Sequence, residues 1–329
     1  MSSENKRPTM KDVAREAGVA LGTVSKVFNG IPVGSSYREK VEAAAEKLGY
    51  SVNSYARGLR AGKTNTIAMI IPSLNNLFFA ELAQHVCDAL SRWDHRLVIA
   101  TTRFDGAVEA RCIQMVVQNK VDGIIGLTYA VDLDIPDNLP YVSIDRYLKP
   151  SIPCVASDNY RGGYMAAEKL IELGCKRLMF LRMGSEVPGE TDKRGFGFAA
   201  GCEAHGVACA IHRTDEVLGV EPVLQYLDGR IQSGRPDFDG IFCSSDELVY
   251  FVRRRLARRG IRVPEDVQLI GYDGARDFFN QDYTCSTIAQ PIRQMAETAV
   301  DILLNRDRPQ SPALICLPVT YVAGGTTRE

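Results

Sequence analysis

Long apolar runs are missing from this chain of 329 residues. The apolar runs, such as residues 67–71 and 241–243, are much shorter than the roughly 20 apolar residues that a membrane-spanning helix needs. The N-terminal segment MSSENKRPTMKD is polar throughout and has no apolar centre of the kind found in secretory signal peptides. We therefore expect a cytoplasmic protein without a membrane partner.

Metal-binding and catalytic motifs are also scarce. The nine cysteines form no Cys-x-x-Cys pair, and their irregular spacing favours reduced thiols over a zinc cluster. The sequence contains no nucleophile elbow and no phosphate-binding loop, and Gly162-Gly163 does not follow a strand as a dinucleotide site requires. We expect no metal, no cofactor and no enzymatic activity. If acid–base catalysis did occur, Asp145 and Asp273 would be the candidates.

Charge is nearly balanced overall but uneven along the chain. The net charge is -1, yet residues 1–63 contain 11 of the 39 basic residues and 6 of the 40 acidic ones. A basic head on an acidic body is typical of a small nucleic-acid-binding module joined to a larger sensor. The chain length is likewise consistent with about two domains.

The basic head has the pattern of three short helices. Thr9 can cap the first, and glycines or Asn-Gly pairs that readily adopt left-handed conformations follow each of them. Ala14, Gly18 and Val24 have the spacing of a helix-turn-helix, in which a small residue lies at the helix crossing and a branched residue fills the core. The predicted helices cover residues 10–17, 21–28 and about 36–48, and they end at Gly18, Asn29-Gly30 and Gly49.

Beyond Thr66 the pattern changes to alternating apolar strands and amphipathic helices. Such alternation is typical of a parallel sheet covered by helices. The pattern restarts after residue 158, so we expect two α/β lobes with a cleft between them. The predicted strands lie near residues 67–71, 97–100, 123–127, 141–144, 177–181, 240–243 and 267–270, and the predicted helices lie near 79–91, 107–118, 160–173, 197–205, 222–231 and 247–259.

Several segments, in order, resemble the lactose-repressor (LacI/GalR) family. In the head these are MKDVAREAGVALGTVSKVFNG, REKVEAAAEKLGY and NSYARGLRAGKT; in the body they include IIPSLNNLFFAEL, SIDR, RGFGF and IFCSSDELV. The resemblance implies an α/β protein with a helix-turn-helix head (residues 1–52), a hinge helix (53–65) and a two-lobe core like periplasmic binding proteins (66–329). The N-terminal lobe would take residues 66–158 and about 291–321, and the C-terminal lobe 159–290 and 322–329.

The resemblance also implies which residues contact DNA. The second helix would enter the major groove, with Leu21, Gly22 and Lys26 at the base-reading positions. Lys26 can donate to guanine, but Gly22 has no side chain, so readout would depend also on DNA shape. Leu59 of the hinge would act as a wedge in the minor groove. The other predicted DNA contacts are Thr9, Thr23, Ser25, Asn29, Tyr50, Asn53, Ala56 and Arg57.

Polar and aromatic residues follow several of the predicted strands of the body. Ligands of open parallel sheets bind beyond the carboxyl ends of the strands. Carboxylates, amides and an arginine can bracket sugar hydroxyls, while aromatic rings stack on the apolar face of a sugar. The predicted effector site consists of Asn76, Phe78, Phe79, Leu127, Thr128, Asp145, Arg146, Arg194, Ser245, Asp246, Asp273 and Gln290.

These features together predict a ligand-responsive DNA-binding transcriptional regulator, a repressor of carbohydrate-utilisation genes that a sugar inducer releases. No apolar heptads follow Gly325, so we expect a homodimer on a near-palindromic double-stranded operator. Arg146 and Arg194 leave a phosphorylated sugar open as the effector, and a purine corepressor is a further alternative. A non-regulatory sugar-binding protein is the alternative from another class.

Overall fold

The computed structural model describes residues 8–51, 64–128, 133–184, 188–276, 282–305 and 313–329. The chain divides into two compact units, residues 1–64 and 65–329. The hinge residues of the DNA-contact prediction lie outside the described residues. They are Asn53, Ala56, Arg57 and Leu59.

The first unit contains three helices. They are α1 (Met10–Ala17), α2 (Leu21–Phe28) and α3 (Ser35–Leu48), so the third helix begins one residue before its predicted start. Val13, Val24 and Val41 contribute one fully buried side chain from each helix. This small apolar centre is what the spacing of branched residues in the sequence indicated.

Local chemistry sets the ends of these helices. Thr9 and Asp12 form a capping box, in which the Thr9 N–H donates to Asp12 Oδ2 over 2.9 Å and satisfies a donor at the helix start. Gly18 has a φ of 62°, the left-handed conformation that glycine adopts without strain. After α2 it is Gly30, with φ 68°, that turns left-handed, whereas Asn29 has φ -93°.

The second unit contains two lobes, each built around a six-stranded sheet. Elements up to residue 157 form the first lobe, and most later elements form the second. The first set is β1 (Thr66–Ile71), α4 (Leu77–Ser91), β2 (Arg96–Thr101), α5 (Gly106–Gln118), β3 (Gly123–Gly126), β4 (Tyr141–Ile144) and β5 (Cys154–Ser157).

The remaining elements complete both lobes. They are α6 (Asn159–Glu172), β6 (Leu178–Met183), α7 (Lys193–Ala204), β7 (Cys209–Thr214), α8 (Glu221–Gly229), β8 (Ile231–Gln232), β9 (Arg235–Pro236), β10 (Gly240–Cys243), α9 (Asp246–Arg258), β11 (Gln268–Asp273), β12 (Thr287–Ala289), α10 (Ile292–Leu304), β13 (Leu314–Leu317) and β14 (Thr320–Val322). A 3-10 turn, Glu190–Asp192, precedes α7.

The two sheets share a parallel architecture, as predicted. The first has the order β13-β5-β4-β3-β1-β2 with every pair parallel, and the second has the order β14-β12-β11-β10-β6-β7, in which β14 alone is antiparallel. The chain therefore passes between the lobes three times. The last passage lies between Leu317 and Thr320, a few residues before the position near 321 that the sequence suggested.

Several elements were absent from the sequence prediction. Helix α10 is the largest, and its residues Met295, Ala296 and Ala299 are buried in the core of the first lobe. The short strands β5, β7, β13 and β14 and the β8–β9 hairpin were also missed. These strands span only two to six residues, which is too short for a periodic apolar pattern to stand out.

Helix α7 begins at Lys193, four residues before its predicted start at Gly197. The glycines near its start serve close helix packing. A Cβ at Gly197 would lie 1.9 Å from the Tyr160 carbonyl oxygen of α6, and one at Gly163 would lie 1.9 Å from the Arg194 carbonyl oxygen of α7. Glycine is therefore needed on both helices, and the early start of α7 places Arg194 on its first turn.

Across the described ranges, no helix is long and apolar enough to cross a membrane. The same residues contain no cluster of three or more His, Cys, Asp or Glu side chains that could hold a metal ion.

Candidate functional site

A cavity of about 180 Å³ lies between the two lobes, at the carboxyl ends of strands from both sheets. Ten of the twelve residues of the predicted effector site line it. The residues that line it are Asn76, Phe78, Phe79, Phe104, Leu127, Asp145, Arg146, Arg182, Met183, Gly184, Thr191, Arg194, Ser244, Ser245, Glu247, Asp273 and Gln290.

Arg194 is held from several sides. Its Nε donates to Asn159 Oδ1 over 2.7 Å, and its Nη1 donates to the Ser244 carbonyl oxygen over 2.6 Å. The guanidinium carbon lies 3.6 Å from the centre of the Tyr272 ring, a cation–π geometry that orients the flat group. Asp273 Oδ1 is 3.9 Å from Nη1. The arginine therefore presents its remaining N–H groups to the pocket in one orientation.

The two pocket acids, Asp145 and Asp273, have unusual backbones and unusual electrostatics. Their φ angles are 57° and 121°, a region that is strained for residues other than glycine and that recurs at ligand sites. Burial raises the pKa of both carboxyl groups, and the nearby Arg194 opposes that rise. Each carboxyl group can accept hydrogen bonds from hydroxyl groups of a ligand.

Gln290 connects to one of these acids and leaves an acceptor unused. Its Nε2 donates to Asp273 Oδ1 over 2.9 Å. Its Oε1 is buried and has no hydrogen-bond partner among the described residues. A buried unpaired oxygen is costly, so a ligand hydroxyl at this wall of the pocket would be stabilised.

Two side-chain pairs join the lobes beside the cavity. Asn76 caps α4, accepting from the Phe78 and Phe79 N–H groups, and its Nδ2 donates to Glu247 Oε2 of the second lobe over 2.9 Å. Ser157 Oγ, at the end of β5, lies 3.0 Å from Tyr272 Oη of β11. The lobes are thus linked by polar contacts that a change in cleft geometry would alter.

Phe78 and Phe79 both line the cavity and both belong to the core of the first lobe. Their rings pack edge to face with centroids 5.5 Å apart. The sequence did not distinguish which of the two would face the pocket, and the structure places both at its wall.

On the first unit, the exposed face of α2 carries the predicted base-reading positions. Leu21 is 43% exposed, and Gly22 and Lys26 are exposed as well. A Cβ at Gly22 would meet no atom of the described residues within 4 Å, so there is open space beside this position. A short helix that presents an uncovered face after a left-handed turn has the form of a recognition helix.

The other predicted DNA contacts of this unit have local roles too. The Thr9 hydroxyl donates to Asp12 Oδ2 over 2.7 Å, and the Ser25 hydroxyl accepts from Asn29 Nδ2 over 3.3 Å. Tyr50 is half-buried, with its ring 5.4 Å from that of Phe28. Thr23 is half-buried on α2.

Comparison with known proteins identifies the family. Residues 9–53 match the lacI family of bacterial regulatory proteins, and residues 167–327 match a periplasmic binding protein-like domain. The chain is 31% identical to the sucrose operon repressor of Pediococcus pentosaceus, over 97% of this chain and 99% of that protein. The chain belongs to the lacI family of bacterial regulatory proteins.

Two further comparisons extend this result. The ribose operon repressor of Bacillus subtilis strain 168 is 33% identical over 98% of this chain and 99% of that protein. The lac repressor dimer bound to operator and an anti-inducer superposes with a TM-score of 0.79 at 24% identity, over 98% of this chain and 99% of that one, which shows the shared fold. The predicted family, fold class and DNA-binding regulatory function are confirmed, and the family consists of regulators rather than enzymes.

Within this lacI-family regulator, two residues of the predicted effector site lie outside the cavity lining. Thr128 is buried after β3. Asp246, at the start of α9, accepts from the Gly274 and Ala275 N–H groups over 3.0 and 2.6 Å. Asp246 therefore holds the loop after β11 in place.

Sequence reasoning missed seven lining residues: Phe104, Arg182, Met183, Gly184, Thr191, Ser244 and Glu247. Strand β6 was expected to end at Leu181 but continues to Met183, so Arg182 and Met183 were not placed at a strand end. Ser244 directly follows β10 and could have been found by the rule that identified Ser245. Nothing in the sequence pattern indicates Phe104 or Thr191.

Proposed function

We propose that this lacI-family regulator represses carbohydrate-utilisation genes and that a sugar of monosaccharide size, bound between the lobes, releases it from its operator. The observation that carries the proposal is the convergence of Arg194, Asp145, Asp273 and Gln290 on one cavity with Phe78 at its wall. Paired donors and acceptors beside an aromatic ring are the groups that bind sugar hydroxyls and stack on a sugar face.

The size of the cavity supports a small ligand. Its volume of about 180 Å³ is below the roughly 300–1,000 Å³ of sites that hold drug-sized molecules. The sucrose and ribose operon repressors among its relatives also favour a carbohydrate effector for this chain. The two buried acids favour hydroxyl groups over the carbonyl groups of a purine, because a carboxylate accepts hydrogen bonds and donates none.

For DNA binding we propose that two copies of α2 read two half-sites of a near-palindromic operator. Twofold symmetry in a dimer requires the same contacts on each half-site, which is the origin of palindromy in such operators. Lys26 supplies the base contact in this proposal, and the half-buried hydroxyls of Thr23 and Ser25, with Asn29, contact phosphates.

Coupling between sugar and operator follows from the inter-lobe contacts. A ligand that touches Asp145 from one lobe and Arg194 from the other favours one lobe arrangement over another, and the Asn76–Glu247 pair changes with it. Linkage requires that the sugar weakens operator binding by the factor by which the operator weakens sugar binding.

The proposal is tested with the full-length protein and an operator selected from random-sequence DNA. A panel of sugars and nucleobases is screened by thermal shift, since a ligand at 100 times its Kd stabilises the folded state by about 2.7 kcal/mol. We expect a sugar to raise the Tm and to lower operator affinity in a mobility-shift titration. Asp273→Asn should require at least 10-fold more sugar to produce the same rise in Tm and the same loss of operator affinity. Arg161 is exposed and lies outside the cavity lining, so Arg161→Ala should respond to the sugar as the wild type does.

A sugar that raises the Tm but leaves operator affinity unchanged would contradict the regulatory part of the proposal. If a purine raises the Tm and strengthens operator binding, the effector is a corepressor and the proposed sugar inducer is wrong.

A further inference from the structure

A buried amide lies between the pocket acid of the first lobe and the pocket arginine of the second. Asn159 is the first residue of α6 and is 1% exposed. Its Oδ1 accepts from Arg194 Nε over 2.7 Å. Its Nδ2 donates to the Ser157 carbonyl oxygen over 2.9 Å and to Asp145 Oδ1 over 3.4 Å. Asn159 is not among the residues that line the cavity, so it acts on a ligand only through these neighbours.

The neighbours of Asn159 dictate how its amide is oriented. A guanidinium has only donors, whereas carbonyl and carboxylate oxygens only accept. The amide oxygen must therefore face Arg194, and the amide nitrogen must face Ser157 and Asp145. Leucine has a similar shape but neither group, and an ionised aspartate has acceptors on both sides. The surroundings therefore require an amide at this position.

Asn159 gives the Asp145 carboxyl group its hydrogen bond. Across the described part of the chain, no second donor meets this carboxyl group. Burial raises the pKa of Asp145, while Arg194, the Asn159 amide and Arg146 oppose that rise and Glu190 adds to it. A buried carboxylate that loses its donor takes up a proton more readily. The amide therefore helps to keep Asp145 ionised, as an acceptor for sugar hydroxyls.

The same amide restricts Arg194. The guanidinium donates from Nε to Asn159 and from Nη1 to the Ser244 carbonyl oxygen, and it lies over the Tyr272 ring. Asp273 Oδ1 is 3.9 Å from Nη1. Without the amide oxygen, Nε would be a buried donor of a charged group with no acceptor, which is costly. The guanidinium would then turn to recover an acceptor, and its orientation in the pocket would change.

Helix packing fixes the distance between Asn159 and Arg194, which lie on the first turns of α6 and α7. A Cβ at Gly163 would lie 1.9 Å from the Arg194 carbonyl oxygen, and a Cβ at Gly197 would lie 1.9 Å from the Tyr160 carbonyl oxygen. The backbones of the two helices are therefore in direct contact beside both residues. Because that contact sets the helix separation, the amide and the guanidinium meet at a fixed distance.

Asn159 also lies where the chain first passes from one lobe to the other. Strand β5 ends at Ser157 and α6 begins at Asn159. Between them, the Asp158 N–H donates to the Leu317 carbonyl oxygen over 2.7 Å, at the end of β13 where the chain makes its third passage. A movement of either pocket group would therefore act on a segment that connects the lobes.

We propose that Asn159 is a positioning residue of the effector site, whose amide orients Arg194 and holds the Asp145 carboxylate, and which thereby fixes the donors and acceptors that the sugar meets. This inference rests on the proposed function, since it assigns a role within the same site.

Asn159→Asp separates positioning from packing, because the two side chains have nearly the same size. At about pH 8 the new carboxylate faces two acceptors, so the sugar should bind at least 10-fold more weakly than to the wild type. As the pH falls to about 5.5, one proton shared with Asp145 restores a donor on that side, and the ratio of the two Kd values should fall to 3 or less. Calorimetric titration of the full-length protein measures both Kd values, with the pentose or hexose that binds the wild type most tightly in the thermal-shift screen.

The ratio of Kd values is used because other groups near Asn159 are charged or titrate as well. They are present in the wild type and in the variant alike, so their effects cancel in the ratio at each pH. These groups are Asp145, Arg146, Glu190, Arg194, Tyr272 and Asp273.

Two further variants complete the test. Asn159→Leu keeps the approximate volume and removes both polar groups, so sugar affinity should fall at least 10-fold at every pH. Asn119→Asp adds a carboxylate at an exposed asparagine after α5 and is the matched control, whose Kd ratio should stay near 1 throughout. Operator affinity without sugar is measured for each variant, and a value within 3-fold of the wild type shows that the variant is folded.

The outcomes separate the two proposals. If a folded Asn159→Leu binds the sugar within 3-fold of the wild type, or if the ratio for Asn159→Asp does not change with pH, the positioning role is overturned and the sugar-responsive regulator stands. If no sugar binds the wild type, the proposed function fails and the role of Asn159 fails with it. If Asn159→Leu does not fold, the pH profile of Asn159→Asp decides alone, because its protonated form keeps one donor and one acceptor.

Discussion

The guanidinium of Arg194 lies over the Tyr272 ring, with 3.6 Å between its central carbon and the ring centre. Tyr272 is fully buried, and its hydroxyl reaches Ser157 of the other lobe. One tyrosine therefore orients the arginine of the pocket and joins the two lobes. Its ring and its hydroxyl have separate roles, which substitution can separate.

Tyr272→Phe should keep the ring under Arg194 and remove the contact with Ser157. We expect a loss of about 1–2 kcal/mol in the free energy of unfolding, since a buried hydroxyl loses its partner, and effector affinity within about 3-fold of wild type. Tyr272→Leu removes the ring as well, so effector affinity should fall about 10-fold, in line with the loss of a desolvated cation–π contact. Urea denaturation and calorimetry check both, and equal effector affinities in the two variants would contradict the role of the ring.

Gly163→Ala should separate α6 from α7. The added methyl group would lie 1.9 Å from the Arg194 carbonyl oxygen, so α7 must shift, and overpacking of this kind costs about 1–3 kcal/mol or more. Effector affinity should fall as well, because Arg194 moves with the helix. Gly229→Ala is the control, since a Cβ there meets no atom within 4 Å. It should leave the Tm unchanged or slightly raised, and equal Tm values for the two variants would refute the packing argument.

Asp246 should make stability depend on pH. Burial raises its pKa to about 6, against hydrogen bonds from Thr287 and from the N–H groups of Ala275 and Gly274. Because the folded state then binds more protons than the unfolded state between about pH 4 and pH 6, this group destabilises the fold as pH rises through that window. Asp246→Asn should make the pH dependence of stability less steep in this window, and Asp145 and Asp273, whose pKa values burial also raises, should account for the slope that remains. Urea midpoints across pH 4–7 measure it, and an unchanged slope would contradict the raised pKa.

Asp266 provides a control of opposite sign. Hydrogen bonds from Arg262 lower its pKa to about 2. Its contribution to the stability of the fold is present above the ordinary pKa of about 4 and is lost as pH falls toward 2. Asp266→Asn should therefore leave the slope between pH 4 and pH 6 intact.

Lys26→Ala should weaken binding to the selected operator more than binding to random DNA. A specific base contact is worth about 1–3 kcal/mol, so we expect a loss of about 10- to 100-fold for the operator and only a few-fold for random DNA. Lys40→Ala, which removes an exposed lysine from α3, is the charge-matched control and should reduce both affinities by the same small factor. An equal loss on both DNAs for Lys26→Ala would make this lysine a phosphate contact.

Local sequence determined the first unit almost completely. The capping pair Thr9 and Asp12 and the left-handed Gly18 and Gly49 act within a few residues of the helix ends that they set, so their effects can be read along the chain. The buried valines follow from helical periodicity, with one on each helix. The exposure of Leu21 and Lys26 follows from the same helical periodicity. The alternation of strands and helices likewise predicted two parallel lobes, because each apolar strand must be buried between helices.

Tertiary structure decided the composition of the pocket. No local sequence pattern marks Arg182 or Thr191 as a pocket residue. Arg182 lines the cavity because β6 extends two residues beyond its apolar run. Thr191 lines it because the turn before α7 lies against the end of β6, where Arg182 donates to the Thr191 hydroxyl. Asp246 was predicted as a ligand contact, but it lies outside this cavity lining and its carboxyl group accepts from the Gly274 and Ala275 N–H groups. Helix α10 and β13 return to the first lobe from a distant part of the chain. Periodicity reports which face of an element is buried, whereas the side chains that share a cavity depend on how distant segments pack.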